Sequence, residues 1–218
     1  MSRCSTFVAV SAVGILMLGG PALAGPPLLC HPFDIGTAQS LPWDGSRSWS
    51  HGRADYNVQH LVSDVQTVLH WTTPVIVRME TLRRAAIYGD RDPGVAAQLL
   101  DALTRRVSEA ERLGASAHAL ALFDAGYLAE TLEQMAHVRP FTIFRGSSNV
   151  LSAALARIDG NALITRALTL NPHDPSLQFG AALVSASSDR QAYRRHADAA
   201  RRRAATDTLL ARNISQIS

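Results

Sequence analysis

The sequence predicts an all-α protein. Three observations carry that prediction. From Tyr56 onward apolar residues recur at steps of three and four, the spacing that gathers side chains on one helical stripe. Asp-Pro pairs and lone Asp residues stand at the starts of those stripes, where N-caps belong. No segment alternates with period two over strand length, and Val75-Ile76-Val77 is too short to overturn a helix. The expected architecture is a set of antiparallel helical hairpins, stacked as an α-solenoid or a compact helical array, with an irregular N-terminal arm.

Three regions follow in chain order. Residues 1–24 read as a signal peptide: Arg3 gives a positive start, Phe7 to Leu18 is an apolar run, and Ala22-Leu23-Ala24 is a small-residue cleavage site. That run is about a dozen residues, short of the roughly 20 a membrane-spanning helix needs. The chain is therefore expected to be exported, to the periplasm or outside the cell, with no transmembrane segment once the leader is removed. Residues 25–55 hold Pro26, Pro27, Pro32 and Pro42 among large apolar side chains and show no helical period. This turn-rich arm is too apolar for a disordered tail. Phe33, Ile35, Trp43 and Trp49 are expected to bury against the first two helices, with Cys30 mostly shielded beside them.

Residues 56–218 form the helical domain. The first helix places Leu61, Val62, Val65, Val68 and Leu69 on one stripe; Thr73 as N-cap and Pro74 at the first helical position begin the second, which ends near Gly89. Asp92-Pro93 starts the third, which stops at Gly114. A fourth runs through Leu120, Leu128 and Met135 until Arg139-Pro140. A fifth, Ser148 to Leu170, carries a break at Gly160-Asn161. Asp174-Pro175 starts a short sixth, and Asp189 caps a last helix running toward Ile214.

Two of these starts share a pattern, Gly89-Asp90-Arg91-Asp92-Pro93 and Asn171-Pro172-His173-Asp174-Pro175, 82 residues apart. That interval fits two helical hairpins of about 41 residues each. Around the second, Ala167 precedes Pro172 by five residues and Gly160 precedes Ala167 by seven. Over this half-repeat the chain resembles the tetratricopeptide repeat, whose second helix carries small residues where two helices approach closely. It departs from the pattern at Ser147, where the family prefers leucine. The resemblance implies a tetratricopeptide-like helical array with a concave surface that binds protein partners.

Composition narrows the chemistry. All 21 basic residues are arginine. Residues 189–218 hold seven Arg against three Asp, while 25–188 hold thirteen Arg against fifteen acids, so the positive excess is local to the C-terminus. Without the leader, Cys30 is the one cysteine left, and an internal disulfide is impossible. Cys30-His31-Pro32-Phe33-Asp34 alone mixes a thiol, an imidazole and a carboxylate. A thiolate beside an imidazole suits zinc or copper, so Cys30 and His31 are candidate metal ligands. A buried structural thiol and an intermolecular or redox-sensitive one are the other readings. Haem attachment lacks its first cysteine, since Pro27 stands in that place.

The remaining histidines are scattered, and no His-Glu-x-x-His run, Gly-x-Ser-x-Gly or phosphate-binding glycine loop occurs. Glu80 with Arg83 and Arg84 reads as a surface ion pair at helical spacing. Asp124 is expected to pair with an Arg of a neighbouring helix. No residue is nominated as catalytic and no cofactor is expected. On the last helix Tyr193, Ala197, Ala200 and Ala204 form a small stripe, and Arg195 and Arg202 face away from it as candidate partner-binding residues. Export disfavours nucleic acid as that partner. The expectation is an exported helical-repeat protein acting as a protein-binding adaptor or complex subunit. The alternative is a periplasmic metal-handling or thiol-redox protein using Cys30 and His31.

Overall fold

A computed structural model describes residues 26–44, 52–138 and 148–217. The expected leader and its cleavage point after Ala24, Trp49, the expected helix stop at Arg139-Pro140 and Ser147 lie outside the described residues. Among the described residues the protein is all-helical, with nine α-helices and no strand. They are α1 (Leu61–Val68), α2 (Val75–Gly89), α3 (Pro93–Glu111), α4 (Ala115–Val138), α5 (Ser148–Leu155), α6 (Gly160–Leu170), α7 (Pro175–Ser185), α8 (Arg190–Arg203) and α9 (Thr208–Asn213). None of the described helices is long and apolar enough to cross a membrane.

Aspartate starts most of these helices. Asp92, Asp159, Asp174, Asp189 and Asp207 each accept hydrogen bonds from backbone amides two or three residues ahead, satisfying donors that have no partner inside the helix. Two starts differ from expectation. Pro74, in extended conformation, occupies the N-cap of α2, because the Thr73 hydroxyl turns back to donate to the Val68 carbonyl at 2.6 Å. The last helix does not continue to Ile214. It ends at Arg203, passes through a 3₁₀ turn, and restarts as α9 under the Asp207 cap. The break expected at Gly160-Asn161 is a helix boundary, since Asp159 caps α6 there.

Gly160 also decides how α6 packs. A Cβ at Gly160 would sit 2.8 Å from the Gly126 carbonyl oxygen, and one at Gly126 would sit 2.6 Å from that of Gly160. Only two facing glycines permit α4 and α6 to approach this closely. α7 pairs with α8 and reaches α2, α4 and α6 as well. Phe123, Tyr127, Phe179 and Leu177 are fully buried where these helices meet.

The arm joins the same core. Leu28, Leu29, Phe33, Ile35 and Leu41 are buried, and Trp43 is half-buried. Its contacts extend beyond the first two helices. The Leu28 amide donates to Gln134 of α4, Phe33 meets Phe179 of α7 edge-on at 6.0 Å, and the Asp34 amide donates to Asn213 of α9 at 2.8 Å. The arm thereby ties α2 to the C-terminal end of the chain. Its lack of helical period is the reason it can do so, because an extended backbone leaves its amides and carbonyls open to side chains.

Candidate functional site

α6 and α8 leave a groove of about 470 Å³ between them. Thr165, Leu168 and Thr169 line it from α6; Ala192, Arg195 and His196 line it from α8. Leu168 and Ala192 are buried and make an apolar floor, while Thr165, Thr169 and Arg195 are exposed at the mouth. His196 is half-buried, with Nδ1 at 2.7 Å from the Gln178 side-chain oxygen. A carbonyl oxygen only accepts, so Nδ1 carries the proton and Nε2 is left as an acceptor. Burial, then the charge of Arg195, lowers the His196 pKa, and Asp189 opposes them.

A smaller groove of about 150 Å³ continues the same flank of α8, lined by Pro172, His173 and Gln178 with Ala199, Arg202 and Arg203. Pro172 and Gln178 separate the two. The Gln178 amide nitrogen donates to the Pro172 carbonyl at 3.0 Å while its oxygen holds His196, so one side chain fixes the ridge between the grooves. Arg195 and Arg202, named from the sequence as facing away from the small stripe, are both exposed, and each lines one groove. The stripe itself faces inward: Ala197 and Ala200 are fully buried, with Tyr193 and Ala204 half-buried. Arg201 is engaged by Asp198 at 3.2 Å and by the Ile217 carbonyl, and Arg203 donates to the His173 carbonyl at 3.3 Å. Arg190, Arg194, Arg195 and Arg202 are exposed and have no ion-pair partner among the described residues.

Cys30 and His31 lie in the arm, each half-exposed. Burial raises the Cys30 thiol pKa, with Arg83 opposing, which favours the protonated form over the thiolate a metal needs. His31 Nε2 is enclosed without a hydrogen-bond partner. Asp34 turns toward the chain end, accepting from the Gly36 amide at 2.9 Å and facing Arg212 at 3.5 Å. Among the described residues no three His, Cys, Asp or Glu side chains come together in a way that would hold a metal ion.

The two acidic positions of interest behave differently from one another. Glu80 does not sit on the surface. It is 1% exposed, with Arg83 at 0%, because the arm lies over them. Its carboxylate accepts from Arg83 Nε at 2.8 Å, from Arg84 Nε at 2.7 Å and from the Phe33 amide at 3.1 Å. Arg83 donates onward to the Leu29 carbonyl and Arg84 to the Leu41 carbonyl, so the network grips the arm by its backbone. Asp124 pairs with Arg78 of α2 at 2.5 Å, both buried. Burial pushes its carboxyl up to about 6, although Arg78 and Arg106 pull it down. Both groups are closed to any substrate.

Glu130 of α4 carried no signal in the sequence. It is half-buried beside Gly160, and burial together with Glu133 pushes its carboxyl up to about 7. No family model, no curated protein and no solved structure matches the chain.

Proposed function

We propose that this chain is an exported, tetratricopeptide-like helical protein that acts by binding another protein, as an adaptor or as a subunit of a complex. One observation carries the reading. Arg195 and Arg202 are exposed cations, without a salt bridge among the described residues, at the mouths of two adjoining grooves on one flank of α8. Grooves with an apolar floor and a few polar groups at the rim are where ligands dock. The buried carboxylates of the helical core, Asp124 and Glu80, are enclosed and serve to join elements.

The experiment is site-specific photo-cross-linking in cells that make the protein natively. A photoreactive amino acid at Thr165, exposed on the groove wall, is expected to give one discrete protein adduct. Arg195→Glu is expected to abolish it. A protein that yields no adduct and purifies as a lone monomer overturns the reading. Export is checked separately by N-terminal sequencing of the native protein, with Gly25 as the expected first residue; a retained leader overturns it.

A further inference from the structure

The basic flank of α8 specifies more than a generic partner. Resting on the binding role just proposed, we infer that the ligand is an extended acidic segment of another protein, lying along α8 with one carboxylate at Arg195 and a second at Arg202. The two arginines are seven positions apart, close to two full turns, so they share a side of the helix about 10.5 Å apart along its axis. A chain in polyproline II conformation repeats its side every three residues at about 3.1 Å per residue. Acidic residues at positions i and i+3 of such a segment therefore meet both arginines. Between them the segment passes the ridge held by Gln178, with His196 and Thr165 among the polar residues lining the larger groove.

Charge complementarity supports the sign. α8 carries six arginines and one aspartate, and that aspartate, Asp198, is engaged by Arg201. The one acid in the larger groove, Asp189, is occupied as the N-cap of α8, accepting from the Gln191 and Ala192 amides at 2.9 Å. Arg194, Arg195 and Arg202 form no salt bridge among the described residues, and Asp189 is the one carboxylate whose field reaches Arg195. A membrane surface fits less well. The large apolar side chains exposed among the described residues are Leu113, Val150 and Leu170, and none belongs to α8, so this face lacks anchors that enter a bilayer. Single-stranded nucleic acid would need exposed aromatic rings for stacking, and the aromatic residue of α8, Tyr193, is half-buried.

The test uses the full mature chain and a fluorescent eight-residue, proline-rich peptide bearing two glutamates three positions apart, followed by fluorescence anisotropy at low salt. The glutamate peptide is expected to bind, and its glutamine counterpart to bind at least about tenfold more weakly. The double variant Arg195→Ala/Arg202→Ala is expected to lose at least about tenfold in affinity. Arg157→Ala, exposed on another face, is expected to bind as the parent does. Circular dichroism checks that the variants keep their helices. Equal binding of the two peptides, unaltered binding by the double variant, or no binding of the glutamate peptide each overturns the inference. Preferential binding to phosphatidylglycerol vesicles over the peptide also overturns it, in favour of a lipid surface. None of these outcomes touches the cross-linking result at Thr165, so a failed acidic ligand and a failed partner role remain distinguishable.

Discussion

α2 and α8 are both arginine-rich helices, and they use the residue in opposite ways. In α2, Arg78 and Arg83 are fully buried and Arg84 is partly buried. Their donors are matched to acceptors: Arg78 to the Thr73 and His70 carbonyls and Asp124, Arg83 to Glu80 and the Leu29 carbonyl, Arg84 to Glu80 and the Leu41 carbonyl. In α8, four arginines stand exposed and form no salt bridge among the described residues, the N-cap Asp189 being the acid whose field reaches Arg195. Taking a guanidinium out of water costs several kcal/mol unless its planar fork of donors is filled. The arm and the loop before α2 supply the carbonyls that fill it, and among the described residues no equivalent segment covers the exposed arginines of α8. The comparison shows one residue type acting as an internal clamp where backbone acceptors arrive, and as an open electrostatic surface where they do not.

The strongest way to break the contrast is to remove the arm. Leu28, Leu29, Phe33, Ile35 and Leu41 each contribute about 1.5–3 kcal/mol when buried, together comparable with the whole stability of a domain, about 5–15 kcal/mol. Deleting residues 25–54 is expected to abolish cooperative thermal melting. A truncated chain that melts like the parent would show the arm to be an appendage and the α2 network to be self-sufficient.

Glu80→Gln keeps the shape and removes the charge, leaving Arg83 buried without its counter-ion. The expected loss is about 3–5 kcal/mol, a fall in melting temperature of roughly 10 °C. A shift within a degree or two would mean that the arm carbonyls alone suffice for the arginines.

Asp124 supplies a pH test of the same buried chemistry. Its carboxyl lies at about 6 in the folded chain against an ordinary value of 3.8. Over that window the folded state holds a proton that the unfolded state has lost. The stability this group contributes therefore falls as pH rises from about 4 to about 6, and is level above. Denaturant unfolding across the window is expected to show that slope in the parent and a flatter one in Asp124→Asn, whatever the variant's absolute stability. Identical slopes would place the titration of Asp124 at its ordinary value.

A smaller effect is expected at the join between the chain ends. Asn213 pairs with the Asp34 backbone in both directions, accepting from its amide at 2.8 Å and donating to its carbonyl at 2.9 Å. Asn213→Ala leaves those groups unmatched and is expected to cost about 1–3 kcal/mol by denaturant unfolding. The smallest effect belongs to α8: Arg195→Ala and Arg202→Ala are each expected to change stability by less than about 0.5 kcal/mol. A loss as large as that of Glu80→Gln would make α8 a second clamp and end the contrast.

Much of the helical framework was legible because its signals are local. The Asp92-Pro93, Asp174-Pro175 and Asp189 caps act on amides two or three residues ahead. Asp207 carries the same signal before Leu209 and Leu210, yet it is hidden inside a stretch whose apolar spacing continues as one helix. The exposed side of α8 was also legible, since the alanine stripe and the arginines sit on opposite sides of a single helix. Glu80 was misplaced for a physical reason. A Glu with Arg three and four positions on has the same spacing on a solvated face and under a covering segment, and the acceptors that bury Arg83 and Arg84 come from Leu29 and Leu41, more than forty residues away. The grooves flanking Arg195 and Arg202 depend on how α6, α7 and α8 lie together.

The sequence by itself determined that the chain is helical, where most helices begin, and which side of α8 carries charge, because each follows from interactions within a few residues. Only the tertiary structure decided which arginines are clamps and which are free, that the arm joins α2 to α9, and that Gly126 and Gly160 face each other. Those outcomes depend on desolvation and close approach between segments far apart in the chain, and a charge or a glycine has the same local pattern whichever segment comes to meet it.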